Sequence, residues 1–129
     1  MTIGIRLAAA STAALALVVS LGTASAESVR VQAAGVGIAT CSDVVAKMET
    51  NAQAVANQLA GWSYGYMTRR NIERALAGQS QANLTPENFD ANQMVGLIVG
   101  FCKEQPNTRI YEVVDALYEI LLEKGSLVS

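Results

Sequence analysis

The residues best suited to chemistry in this chain are its two cysteines, Cys41 and Cys102. A zinc site or a cysteine nucleophile usually needs histidine or a C-x-x-C pair, and the chain has neither. In an oxidising compartment, an even number of cysteines predicts a disulfide instead. A bond between these two would close a loop of about 60 residues and stabilise the fold by roughly 4 kcal/mol.

The rest of the sequence offers little for catalysis. It has no histidine to act as a base and no phosphate-binding glycine-rich loop. Its potential metal ligands form no known motif. We therefore predict that the protein is not an enzyme and that it carries no cofactor and no metal ion.

The N-terminus has the three zones of a secretory signal peptide. Arg6 supplies the charge, residues 7–21 are apolar, and Ala24-Ser25-Ala26 forms a small-residue cleavage site. The apolar stretch is about 15 residues long, whereas a membrane-spanning helix needs about 20. We therefore expect residues 1–26 to be removed and the remainder to be periplasmic, without stable membrane insertion.

The charge of the chain argues against nucleic acid as a partner. The net charge is −2, and Arg6 is the only charged residue of the signal segment, so cleavage would make the product more acidic. Binding to phosphates needs a surplus of cations. About 100 residues would remain after cleavage, which suits one domain with a modest core.

The elements that hold the cysteines are predicted to be helices. Residues 27–39 are small and glycine-containing, and we expect a flexible arm. Thr40 should cap a short first helix that ends near Thr50. Asn51 should cap a long second helix that reaches about Ala77, with Val55, Leu59, Trp62 and Tyr66 recurring on one face.

Two further helices follow a polar connection. Either Thr85 or Asp90 opens the third, whose residues 94–102 are apolar on every side, so it should lie at the centre of the fold or in a subunit interface. Thr108 should cap the last helix and Gly125 should end it, leaving residues 125–129 frayed. The prediction is an all-α, four-helix, orthogonal-type bundle over residues 40–124 with one disulfide.

Three segments resemble the HdeA/HdeB family of small periplasmic helical proteins. They are Thr40-Cys41-Ser42-Asp43 at a helix start, Gly61-Trp62-x-x-Gly65-Tyr66 in a long helix, and Phe101-Cys102-Lys103-Glu104-Gln105-Pro106 before the last helix. The resemblance spans about residues 40–122. The founding members of the family are acid-stress chaperones in which a disulfide joins the two cysteines, so the resemblance also implies the Cys41–Cys102 bond.

The family's founding members are dimers near neutral pH, and their apolar interface opens to unfolding clients as carboxylates gain protons. The resemblance therefore implies a homodimer that binds unfolded envelope proteins in acid. The candidates for its client or dimer surface are Trp62, Tyr66, Met67, Leu97, Ile98 and Phe101. Two other functions stay open, namely a specific envelope binding or inhibitor protein of the immunity type, and a structural subunit.

Several polar and glycine residues have a structural and a functional interpretation. Glu112, Asp115, Glu119 and Glu123 share one helix face, which is solvated by default, although any of them that pairs with a cation would lose that pairing in acid. Arg69 and Arg70 suit the C-terminal end of a helix dipole. The pairs Gly61/Gly65 and Gly96/Gly100 predict close helix packing.

Overall fold

The computed structural model describes residues 34–125, which form one short 3-10 helix and three α-helices. The 3-10 helix is Gly35–Ile38, and the α-helices are α1 (Cys41–Leu76), α2 (Ala91–Glu104) and α3 (Ile110–Lys124). This range contains no β-strand, which confirms the all-α class. The predicted signal peptide, residues 27–33 of the predicted arm and residues 126–129 of the predicted tail lie outside the described residues.

The first two predicted helices are joined in α1. Asn51, the residue predicted to open the second helix, has non-helical backbone angles (φ −149°, ψ 58°), so α1 is kinked there. Helical hydrogen bonding continues on both sides of the kink, and the described chain therefore has three α-helices where four were predicted. Thr40 caps α1 as predicted, because its hydroxyl accepts a hydrogen bond from the Asp43 N–H at 3.3 Å.

The ends of α2 and α3 follow from their caps. Asp90, the second of the two predicted start sites, forms a capping box with Gln93 and opens α2. The start of α3 was predicted one residue early, since the capping position is Arg109, whose N–H donates to the Glu112 carboxylate at 2.9 Å. Gly125 ends α3 in a left-handed conformation (φ 69°), as predicted.

The disulfide between Cys41 and Cys102 is confirmed, and both residues are buried. It joins the start of α1 to the end of α2, and backbone hydrogen bonds reinforce the junction. The Cys41 N–H donates to the Thr108 carbonyl at 2.8 Å, and the Ser42 N–H donates to the Pro106 carbonyl at 2.9 Å. The three helices therefore meet at one cross-linked end.

The last residues of the predicted arm are structured. Gly35–Ile38 packs on α1 through Trp62, and the Ile38 carbonyl accepts a hydrogen bond from the Arg109 guanidinium at 2.6 Å. The Ala39 carbonyl accepts another from the Ile110 N–H at 3.1 Å. The segment is fixed because its backbone carbonyls meet donors at the start of α3.

The core lies between one face of α1 and the facing sides of α2 and α3, with Leu59, Met67, Ile98 and Tyr118 among its fully buried side chains. Of the two predicted locations for α2, the centre of the fold is not met, because Leu97 is 38% exposed in the single chain. The subunit interface stays a prediction. None of the described helices is both long and apolar enough to cross a membrane.

The two glycine pairs do not mediate packing between the helices of residues 34–125. A Cβ added to any of them would meet no atom within 4 Å, apart from the local backbone, among the described residues. These glycines are Gly61, Gly65, Gly96 and Gly100. The predicted close packing therefore does not occur between the described helices of one chain, because the G-x-x-x-G spacing lies on the exposed sides of α1 and α2.

Candidate binding surface and ion-pair cluster

An ion-pair cluster connects α3 to α1. The kink at Asn51 divides α1 into two limbs, and the cluster lies on the second, which follows the kink. The Arg70 guanidinium donates from one nitrogen to Asp115 and from the other to Glu119, at 2.6 Å for the latter. The Tyr66 hydroxyl donates to the same Asp115 carboxylate at 2.8 Å. The guanidinium carbon also lies 4.6 Å from the centroid of the Tyr118 ring, within cation–π distance. We call these five residues the ion-pair cluster.

The cluster lies at the protein surface. The side chain of Arg70 is 26% exposed, and those of Asp115 and Glu119 are 41% and 46% exposed. Water and protons therefore reach the carboxylates directly. Asp115 and Glu119 belong to the acidic face that was predicted for the last helix. They face α1 as well as solvent, because Tyr118, which lies between them in sequence, is buried on the side of α3 that faces α1.

Two groups of the cluster have shifted pKa values. Burial raises the pKa of Tyr66, and its hydrogen bond to Asp115 raises it further. Burial alone lowers the pKa of Arg70, but the hydrogen bonds to Glu119 and Tyr66 and the charge of Asp115 outweigh it, so the pKa is raised. Both shifts favour the protonated forms that hold α1 and α3 together.

The two arginines predicted to serve the helix dipole have separate partners. Arg70 belongs to the cluster, whereas Arg69 pairs with Glu73 one turn along α1 at 2.7 Å, with both side chains more than half exposed. An exposed pair of this kind contributes little to stability. Adjacent residues on a helix point about 100° apart, so only one of the two arginines can face α3.

Asn71 extends the cluster into the loop after α1. Its Oδ1 accepts hydrogen bonds from the Tyr118 hydroxyl at 2.8 Å and from the Ala82 N–H at 3.0 Å, and its Nδ2 donates to the Ala82 carbonyl at 2.9 Å. Asn71 and Tyr118 were not among the predicted site residues. The position of Tyr118 between Val114 and Leu121 on the apolar face of α3 marks it as core, but nothing in the sequence marks Asn71.

The candidate client residues are divided between core and surface. Met67 and Ile98 are buried in the core. Leu97 and Phe101 lie one turn apart on α2 and are 38% and 39% exposed, so they form an apolar strip at the surface. We keep the name apolar strip for these two residues.

Trp62 and Tyr66 form a half-buried pair on α1. Their rings stack with centroids 5.3 Å apart and planes inclined by 20°. Tyr66 also reaches Asp115, so the stack connects Trp62 to the ion-pair cluster. The helical spacing predicted that these two residues share a face, and the structure brings them together with the cluster.

Ser63 stands at the centre of Gly61-Trp62-Ser63-Tyr64-Gly65, which matches by letter the G-x-S-x-G pattern of a nucleophile elbow. An elbow needs a sharp turn from strand to helix that exposes the serine beside a histidine. Here Ser63 lies inside α1, is fully buried, and finds no hydrogen-bond partner among the described residues. The chain also has no histidine, so this serine is not placed or activated as a nucleophile.

Within residues 34–125, no three or more cysteine, aspartate or glutamate side chains gather closely enough to hold a metal ion.

Comparison with protein-family models, curated proteins and solved structures finds no match for this chain. The resemblance to the HdeA/HdeB family therefore stays a prediction drawn from the residues.

Proposed function

We propose that a signal peptide directs this chain to the periplasm and is cleaved after Ala26. There the protein binds apolar segments of envelope proteins that unfold in acid. It acts as an HdeA/HdeB-like chaperone, without catalysis. Its fold is a four-helix bundle if the two limbs of α1 are counted as separate helices. The apolar strip is the first contact with a client. The observation that carries the proposal is the surface ion-pair cluster.

The cluster depends on ionised carboxylates. Asp115 and Glu119 neutralise Arg70 while they are charged, and protonation in acid leaves the guanidinium without a counter-charge. The chain has no histidine, which is the side chain that ordinarily titrates near neutral pH. Loss of the ion pairs is therefore confined to acidic conditions.

Loosening α3 would release apolar surface suited to a client. The core side chains that α3 buries are Ile110, Val113, Val114, Tyr118 and Leu121. The disulfide keeps α2 joined to the start of α1 whatever happens to α3. An acid-loosened chain therefore keeps a compact part that carries the apolar strip, and it can refold when the pH rises.

Light scattering of an acid-labile envelope protein tests this function. The mixture is brought from neutral pH to about pH 3, where ordinary carboxylates are protonated, with and without the purified oxidised protein. We expect aggregation to be suppressed in acid, and suppression to weaken when Leu97 and Phe101 are both replaced by serine. The matched control replaces Ile72 and Leu76, which are exposed apolar residues on α1, by serine.

The control variant should protect the client as well as the unchanged protein does. Equal protection by both double variants would remove the apolar strip from the mechanism. If the unchanged protein gives no protection in acid, the chaperone proposal is wrong. Sedimentation at neutral pH tests the homodimer separately, because a seam at the apolar strip predicts that the Leu97→Ser, Phe101→Ser variant is monomeric.

A second function is favoured by one observation, which is that the apolar strip is already exposed with the ion-pair cluster formed. The apolar strip is therefore accessible to a partner without acid. A specific envelope binding or inhibitor protein would use the strip at neutral pH against one partner. Such a protein would form a stoichiometric complex at neutral pH, lose it in the Leu97→Ser, Phe101→Ser variant, and give no protection to unrelated clients in acid.

A further inference from the structure

A groove with a volume of about 410 Å³ lies between the 3-10 helix and α1. Val44 and Lys47 line it from the limb of α1 before the kink, and Val55, Gln58 and Trp62 line it from the limb after the kink. Val36 of the 3-10 helix closes a third side. We call it the Trp62 groove. Its volume falls in the range of about 300–1,000 Å³ that is usual for small-molecule sites.

The walls of the groove are held in place by packing. The indole of Trp62 lies so close to Gly37 that a Cβ on that glycine would overlap it. The indole also stacks on the Tyr66 ring. The 3-10 helix is in turn hydrogen-bonded to Arg109 at the start of α3. A ligand would therefore meet a largely formed site and would have little of the protein to order.

The groove combines an apolar lining with a single charge. Val44 and Val55 are buried, Trp62 is half-buried, and Lys47 is the one charged residue among those that line it. Within residues 34–125, Lys47 has no carboxylate within 4 Å. Asp43, one turn earlier on α1, is instead occupied by the Thr40 hydroxyl, which donates to it at 2.8 Å.

We propose that the Trp62 groove binds a small amphipathic carboxylate, which is a molecule with an apolar chain or ring and one carboxylate. The apolar part lies against Val44, Val55 and the Trp62 ring, where burial of apolar surface supplies the affinity. The carboxylate accepts a charge-assisted hydrogen bond from Lys47, which has no carboxylate partner among the described residues. Gln58, on the limb of α1 after the kink, can donate a second hydrogen bond through its amide.

This charge arrangement selects among ligands. A quaternary ammonium with the same chain would meet the Lys47 ammonium as a like charge and should be rejected. A neutral alcohol would fill the apolar lining but leave Lys47 without a counter-charge. The groove shares no lining residue with the apolar strip or with the ion-pair cluster, although Trp62 stacks on Tyr66 of the cluster. The proposed ligand does not depend on the chaperone proposal.

Titration with decanoate tests the site at neutral pH, below the concentration at which it forms micelles. Trp62 is the only tryptophan of the chain, so its fluorescence reports occupancy directly, and calorimetry gives the stoichiometry. We expect saturable one-to-one binding with a change in Trp62 emission. Decanol should bind about tenfold more weakly, which corresponds to the loss of one charge-assisted hydrogen bond. Decyltrimethylammonium should show no saturable binding.

Two lysine variants separate the groove from general binding to apolar surface. Lys47→Gln should weaken decanoate binding about tenfold and leave decanol binding unchanged. Lys103→Gln is the matched control, because Lys103 lines another apolar groove beside Cys102 and loses the same charge. Both lysines are exposed, so neither change should disturb folding, which circular dichroism checks.

Three results would overturn the proposal. They are the absence of saturable decanoate binding, equal weakening in the Lys47→Gln and Lys103→Gln variants, and equal affinity for decanoate and decanol. The Leu97→Ser, Phe101→Ser variant should bind decanoate like the unchanged protein. Loss of binding in that variant, with its fold intact, would place the ligand on the apolar strip and would also contradict the proposal.

Discussion

The indole of Trp62 occupies the space in which Gly37 would carry a Cβ. Trp62, on the second limb of α1, therefore packs against the 3-10 helix that precedes α1. Only glycine permits this approach, because any larger residue would have to displace the ring. The contact joins the N-terminal segment to the Trp62–Tyr66 stack and, through Tyr66, to the ion-pair cluster.

Gly37→Ala should lower the free energy of unfolding by about 1–3 kcal/mol, since the new methyl group forces Trp62 out of position. Gly65→Ala is the matched control. Gly65 lies inside α1 with open space around it, and alanine there should raise the free energy of unfolding by about 1 kcal/mol. Urea denaturation measures both. Equal effects of the two changes would mean that Trp62 does not pack on Gly37 in solution.

Ser63→Ala should stabilise the protein by about 1 kcal/mol. The Ser63 hydroxyl is fully buried and has no partner among the described residues, so its removal recovers part of the cost of burying an unpaired polar group. Ser80→Ala, at an exposed loop position, should have almost no effect. Thermal unfolding compares the two. Destabilisation by Ser63→Ala would show that the hydroxyl is hydrogen-bonded in solution.

Arg70→Met should lower the free energy of unfolding by about 1–2 kcal/mol near neutral pH, because two half-exposed ion pairs and one cation–π contact are lost. The difference should shrink toward about pH 3, because protonation of either carboxylate removes its ion pair with Arg70. Arg69→Met, which removes only the exposed pair with Glu73, should cost about 0.3–0.5 kcal/mol. Urea denaturation at the two pH values measures this, and a pH-independent difference would contradict an acid-sensitive cluster.

Tyr66 should ionise later than a free tyrosine, because burial and the hydrogen bond to Asp115 raise its pKa. The folded state then keeps this proton to a higher pH than the unfolded state does. The resulting stability is fully present below the unfolded pKa of about 10 and is lost as pH rises through the folded value. Tyrosinate absorbance in the unchanged protein minus that in Tyr66→Phe should show the late step. A difference that titrates like free tyrosine would contradict the buried hydrogen bond.

Replacing Cys41 and Cys102 together by serine should lower the free energy of unfolding by roughly 4 kcal/mol, because the unfolded chain regains the freedom of the closed loop. Chemical denaturation of the double variant, compared with the oxidised protein, measures this loss. Mass spectrometry of the oxidised protein with and without reduction is the control. An unchanged midpoint of denaturation would mean that the bond contributes nothing to the folded state.

The helices and the disulfide could be read from the sequence because their causes are local or compositional. The caps at Thr40 and Asp90 lie within three residues of the groups that they satisfy, and Gly125 ends α3 through its own backbone freedom. Two cysteines permit only one pairing. The apolar periods of α1 and α3 likewise depend on neighbouring residues alone, which is why the all-α class was predictable.

The candidate sites were decided by tertiary structure, because their members are brought together from distant positions. Local sequence does not show that Arg70 forms the ion pairs with α3 and Arg69 does not. It also does not show which carboxylates of the acidic face take part. Both depend on how the two helices are rotated against each other. The same rotation decides which side of α2 stays exposed, and the kink at Asn51 sets the distance between Lys47 and Trp62 across the groove. The sequence by itself determined the helical class, several helix ends and the cross-link. Packing geometry decided which helix faces became sites.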